Sequence, residues 1–274
     1  MTDGARDAQA IYLFCFTRSG LISSIEGMGI DGHNPLFLHE FRGIAAVVSV
    51  ISLSELSGPE TEARMQDLAW IGPRALHHEQ VIEQVMPRSP AFPARFGTLF
   101  SSLEKLDELL ITHHDTISHF LSRMVDREEW SVKAFLNRKK AREEYIAAAL
   151  AAQAQHLPQS PGARYLQEQR IRTGAEKEVN HRVSSIGQRI WRELNSLADE
   201  VSERKLLPSA DPADIEGEMV LNWAFLVQRN NLAGFQKAID DAKEASDQVG
   251  LVIRYSGPWP PYSFTPHLPV EPET

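Results

Sequence analysis

The sequence predicts a mixed α+β chain in two halves. Three observations carry that reading: short runs rich in β-branched and aromatic residues, stretches with helical apolar spacing, and glycine or proline breaks between them. In the first half, residues 12–16 and 44–50 read as strands, with Leu36–Phe41 a third after a turn-rich segment. Residues 60–86 show helical spacing in two pieces, because Pro73 fits the first turn of a new helix better than the interior of an old one. Residues 92–96 read as a brief strand. Ser101 and Glu104 then form a capping box, the serine hydroxyl taking one orphan amide while the carboxylate reaches back to another. The helix it opens carries Leu103, Leu106, Leu110, Ile117, Leu121 and Met124 along one stripe.

In the second half, Trp130, Val132, Ala134 and Leu136 alternate with polar or charged neighbours, as a half-buried strand requires. Residues 137–207 are helix-rich, with a break at residues 157–162. Val179, Val183, Ile186, Ile190, Leu194, Leu197 and Val201 recur by threes and fours, about 3.7 residues on average, nearer a straight helix than a left-handed coiled coil. That predicts one helix of roughly 40 Å, packed along one face. The spacing allows a short antiparallel coil with a neighbouring helix and disfavours a long parallel one. A linker at residues 208–212 leads to a strand at 219–227, a helix at 232–245 and a strand at 251–255.

The chain then enters Gly257-Pro-Trp-Pro-Pro-Tyr-Ser-Phe264. Proline fixes φ, lacks an amide donor and restricts its predecessor. Pro258, Pro260 and Pro261 therefore make a stiff, extended ledge presenting Trp259, Tyr262 and Phe264, with Gly257 marking a tight reversal before it. Two readings stand: a plug that buries its rings, Trp259 foremost, and anchors the last strand, or a docking surface. Residues 265–274 alternate prolines with acids and read as a disordered tail.

With 274 residues, 42% of them hydrophobic, the chain can bury the core of one large or two ordinary domains. A net charge of -9 argues against nucleic acid or an anionic lipid membrane as partner. No apolar run reaches the roughly 18 residues of a spanning helix. The N-terminus lacks the basic and apolar regions of a secretory signal, and a lone Cys15 can form no intrachain disulfide. The expected location is the cytoplasm.

Motifs for chemistry are few. Gly27-Met-Gly-Ile-Asp-Gly32 has the spacing of a dinucleotide loop, but Pro35 blocks the helix whose N-terminus would hold the pyrophosphate, so these are turn glycines. His77, His78, Glu79 and His113, His114, Asp115 supply ligand-type side chains twice. Ile82 stands where the zinc-protease spacing needs a second histidine. His78 instead shares the apolar stripe of Ile71, Ala75, Ile82 and Val85, which predicts a buried, satisfied ring. Glu79 and Arg95 read as a structural ion pair across a short loop. No serine stands in a nucleophile elbow, and Cys15 lies within an apolar strand. No cofactor and no catalytic group are expected; a metal-dependent enzyme using His78 and Glu79 is the alternative. Between Arg164 and Arg192, basic residues outnumber acidic ones, a helix face that suits an acidic partner.

Five separated regions, in this order, resemble the gas vesicle protein F and L family. Ile11-Tyr-Leu-Phe14, with Gly29-Ile-Asp-Gly32 and Gly43-Ile-Ala-Ala-Val-Val-Ser49, is similar to its opening strands. Arg74-Ala-Leu-His-His-Glu79, Phe92-Pro-Ala-Arg-Phe-Gly-Thr98, Glu129-Trp-Ser-Val-Lys133 and the closing Gly257–Phe264 string follow. The resemblance implies a ferredoxin-like α+β domain over residues 1–128, a second α+β domain with long helices over 129–264, and a tail beyond. It also implies a non-enzymatic assembly protein of the cytoplasm and the gas vesicle, an accessory or minor component. Its partners would be the small hydrophobic major shell protein, whose assembly it helps to nucleate or organise, and other gas vesicle accessory proteins. The positions singled out as structural or partner-binding are His78, Glu79, Pro93, Arg95, Phe96, Gly97, Trp130, Gly257, Pro258, Trp259, Pro260, Pro261, Tyr262 and Phe264.

Overall fold

A computed structural model describes residues 9–53, 67–153, 160–207, 217–247 and 249–268. The chain forms two compact units, one built from residues up to Arg127 together with those from Trp259 onward, the other from Glu128–Pro258. Both mix helix and sheet, as the sequence predicts.

In the first unit, β1 (Gln9–Arg18), β2 (Leu36–Phe41) and β3 (Ile44–Ser52) are followed by α1 (Leu68–Val85), β4 (Ala91–Pro93), β5 (Leu99–Phe100) and α2 (Leu103–Arg123). The sheet runs β2-β3-β1-β4, with β5 also on β1, and every pairing is antiparallel. Read from β4, the order is 4-1-3-2, that of a ferredoxin-like sheet, with irregular residues 19–35 in place of its first helix. Arg42 and Gly43 join β2 to β3 at φ of 45° and 87°, the double positive φ of a two-residue hairpin.

Strand β1 is buried from Ala10 to Thr17 because both sheet faces are covered. Tyr12, Phe14, Val47 and Ile51 cluster with Val81, Ile82 and Val85 of α1. On α2, Phe120 meets Phe92, which in turn meets Phe16. Each such side chain, once fully buried, contributes about 1.5–3 kcal/mol.

Three local expectations change in this unit. Helix α1 is continuous through Pro73, which falls in its second turn and removes one hydrogen bond without ending the helix. Residues 60–66 of the expected helix lie outside the described residues. The N-cap of α2 is Ser102, whose hydroxyl accepts from Lys105 N at 3.4 Å, so the cap sits one residue beyond Ser101. The strand expected over 92–96 ends at Pro93, and the short β5 follows the turn.

The second unit comprises β6 (Arg127–Leu136), α3 (Arg138–Gln153), α4 (Pro161–Asn195), β7 (Glu200–Glu203), β8 (Glu218–Gln228), a 3-10 turn (Arg229–Asn231), α5 (Leu232–Asp247) and β9 (Leu251–Trp259). Its sheet runs β7-β8-β6-β9. Trp130, Val132, Ala134 and Leu136, the alternate residues of β6, all enter one core with Trp223, Phe225, Val179, Ile190, Leu194 and Phe235. α4 has 35 residues and lies against α3. It ends at Asn195 rather than continuing in phase to Val201, which belongs to β7. Ser196 N closes the last turn on Arg192 O, and Asp199 N then donates to Leu226 O to start the strand. The expected linker over 208–212 lies outside the described residues. Among the described residues, no helix is long and apolar enough to cross a membrane.

The last strand runs through Trp259, and from that residue the chain groups with the first unit. Trp259 is half-buried, not buried; Pro260 and Pro261 are the buried members of the ledge. Residues 265–268, expected in a disordered tail, are ordered: Thr265 Oγ1 donates to Pro261 O at 2.7 Å, and Pro266, His267 and Leu268 line a cavity of the first unit. Residues 269–274 of that tail lie outside the described residues.

Candidate functional site

In the first unit, two of the family-like strings meet on β1. Its pairing with β3 shifts register between Leu13 and Cys15, which leaves Phe14 as the extra residue of a bulge. Opposite that bulge, residues 94–98 turn between β4 and β5. Ala94 N donates to Phe14 O at 2.9 Å, and Leu13 N donates to Thr98 O at 3.0 Å. Gly97, at φ 84°, permits the turn, and Arg95 O accepts from both the amide and the hydroxyl of Thr98.

His78 of α1 locks this turn to β1. Its Nε2 lies 3.1 Å from Ala94 O, which can only accept, so Nε2 carries the proton. Nδ1 then accepts from the Tyr12 hydroxyl at 2.9 Å, and the Tyr12 oxygen accepts from Gly97 N at 3.1 Å. The ring stacks on Phe14 at 5.4 Å and 21° and meets the edge of Phe96 at 5.9 Å. Burial pushes the imidazole down to about 4, so it stays neutral at physiological pH. Both ring nitrogens are occupied by protein partners. No group of three metal-ligating side chains gathers anywhere among the described residues.

The expected Glu79–Arg95 pair does not form. Arg95 is exposed, because Ala94 and Phe96 on either side of it turn inward, and its guanidinium has no ion-pair or hydrogen-bond partner among the described residues. Glu79 is half-buried; that burial, with Glu83 nearby, holds its carboxyl above the usual range. Arg95 and Tyr262 instead line the same cavity of about 320 Å³, over a floor of Leu13, Phe16, Phe92, Pro93 and Phe100. The ledge reaches it as a series of tight turns. Tyr262 N donates to Pro260 O at 2.7 Å, Phe264 N donates to Pro261 O at 3.2 Å, and Arg123 of α2 donates to Phe264 O at 2.8 Å. Tyr262 keeps 37% of its surface exposed.

Trp130 and Gly257 form a separate contact in the second unit. The indole N–H donates to Glu128 Oε2 at 3.2 Å, and the ring lies 5.9 Å from that of Tyr255. Gly257 has φ 153°, and a Cβ there would stand 2.9 Å from both Glu129 O and Trp130 Cδ2. Its neighbour Pro258 is exposed. The structure thus joins His78, Phe96 and Gly97 through a residue read only as part of a strand, Tyr12, while Pro93 pairs with Cys15 of the same strand. The signal was present: a tyrosine amid apolar strand residues calls for a hydroxyl partner.

Comparison with known proteins shows the family. The profile of the family described as gas vesicle synthesis protein GvpL/GvpF matches residues 10–266. Gas vesicle protein L of Streptomyces sp. (strain CB03234) is 27% identical over 237 residues, 86% of this chain and 85% of that protein. Gas vesicle protein F of the same strain is 26% identical over 261 residues, covering 92% and 98%. The crystal structure of GvpF from Anabaena sp. PCC7120 has the same fold, with a TM-score of 0.67, 23% identity and coverage of 94% of this chain and 97% of that one. The chain belongs to the gas vesicle synthesis protein GvpL/GvpF family.

Proposed function

We propose that this chain serves gas vesicle assembly by binding the major shell protein directly, as a non-enzymatic accessory component of the cytoplasm that helps nucleate or organise the shell. Family membership carries the assembly role. A shell subunit with an apolar face needs a partner that keeps it from aggregating until it joins the wall. The contact proposed is the outer edge of β2, the terminal strand of the first unit's sheet, which beyond the Leu36 N–Gly27 O bond pairs with no further strand among the described residues and could take an added one. Against an enzymatic role for His78 stand its burial and its two protein-bonded nitrogens.

A photoreactive residue in place of Glu40, the exposed residue of β2, tests the reading in cells making gas vesicles. A cross-link to the shell protein is expected. A cross-link only from the basic face of α4, with the probe at exposed Arg189, moves the contact to the second unit. No cross-link from either, with vesicles still forming, contradicts direct binding.

A further inference from the structure

We propose that the cavity lined by Arg95 and Tyr262 is a binding site for an amphipathic carboxylate: an apolar body carrying a single carboxylate group. Its volume of about 320 Å³ is roughly ten times the ~30 Å³ share of one water, which sets the ligand at about ten heavy atoms. The floor rejects a simple inorganic anion. Leu13, Phe16, Phe92 and Phe100 are 1–6% exposed and offer no hydrogen bonds from their side chains, so desolvating a bare anion there goes unrepaid. The lip rejects a purely apolar ligand less strongly, yet its charge is one-sided: the Arg95 guanidinium lines the cavity, and no carboxylate does among the described residues.

Arg95 decides the ligand's charge. A guanidinium in a chain of net charge -9 has carboxylates in excess to choose from, yet this one pairs with none among the described residues. Its planar fork matches a carboxylate through two parallel hydrogen bonds. Tyr262 adds a hydroxyl to the lining, whereas the Thr98 and Thr265 hydroxyls already donate to Arg95 O and Pro261 O, so the pocket has apolar walls with the guanidinium and one phenol as its donors. A free medium-chain acid and the C-terminal residue of a peptide both present this chemistry. This site is distinct from the β2 edge and does not depend on it.

Calorimetric titration of the full-length chain tests the assignment with octanoate, octanol, and a short peptide ending in leucine with its terminus free or amidated. Octanoate or the free-acid peptide should bind one to one, whichever is tighter naming the source. The neutral counterpart should bind about tenfold more weakly, and Arg95→Met should cost the carboxylate about the same factor. Arg95 is exposed, so that variant keeps its fold. Leu109→Trp, which fills the cavity from half-buried α2 wall, should abolish binding. Equal binding of octanoate and octanol, no effect of Arg95→Met, or no carboxylate binding at millimolar concentration would each overturn the proposal.

Discussion

Tyr12 and His78 satisfy one another: the hydroxyl donates to Nδ1 while its oxygen takes the Gly97 amide, and no water is needed to complete the chain. Tyr12→Phe removes one atom and strands both a ring nitrogen and an amide. Leaving such groups unpaired costs about 1–3 kcal/mol, readable as a lower urea midpoint. His78 also makes stability depend on pH. Its folded value of about 4 lies below the ordinary 6.5, so the unfolded chain takes up the proton first. The stability it contributes is full above pH 6.5 and is lost as pH falls toward 4, by about 1.4 kcal/mol per pH unit within that window. The gap in stability between the wild type and His78→Gln should therefore narrow as pH falls from 7 to 4; a constant gap contradicts the neutral buried ring. Arg95→Met, by contrast, should shift the thermal midpoint by no more than surface substitutions do, within about 0.5 kcal/mol.

The elements differ in how openly the sequence announced them. Strands β1, β3, β6 and β8 were legible from their β-branched and aromatic runs, and the burial of His78 from its phase within the α1 stripe. The stop of α4 was not, because Leu197 and Val201 stay in helical phase while Asn195, Ser196 and Asp199 favour a turn that only pairing with β8 realises. The Glu79–Arg95 pair failed for a reason also written in the sequence: inward Ala94 and Phe96 leave Arg95 facing out. The bulge at Phe14 and the cavity were not readable, since both depend on which strands become neighbours. For the ledge, Gly257→Ala should cost about 1–3 kcal/mol, because φ of 153° is strained for alanine and its methyl meets Glu129 O and Trp130. Ending the chain at Pro258 removes buried Pro260 and Pro261 and the Arg123 bond to Phe264 O. Denaturation of that truncated chain should report a loss of roughly 3 kcal/mol or more; an unchanged midpoint would leave the ledge free to act as a docking surface.

At the scale of the whole molecule, the chain carries a net charge of -9 and belongs to a family defined by gas vesicle synthesis. Its described residues gather no metal-binding cluster, and its family-like strings resolve into a hydrogen-bonded lock, a cavity wall and a strand contact rather than a catalytic array. The proposed activity is binding, with the apolar shell subunit as the proposed partner. Contact through a strand edge and apolar side chains has a signature in salt, since screening weakens exposed charge pairs but not buried backbone pairing. The most direct measurement is capture of the purified major shell protein by the full-length chain at low and at high salt. Capture that persists at about 1 M salt, where the screening length falls to about 3 Å, is the predicted result. Capture that disappears with salt, or never occurs while the chain is demonstrably folded, would contradict it.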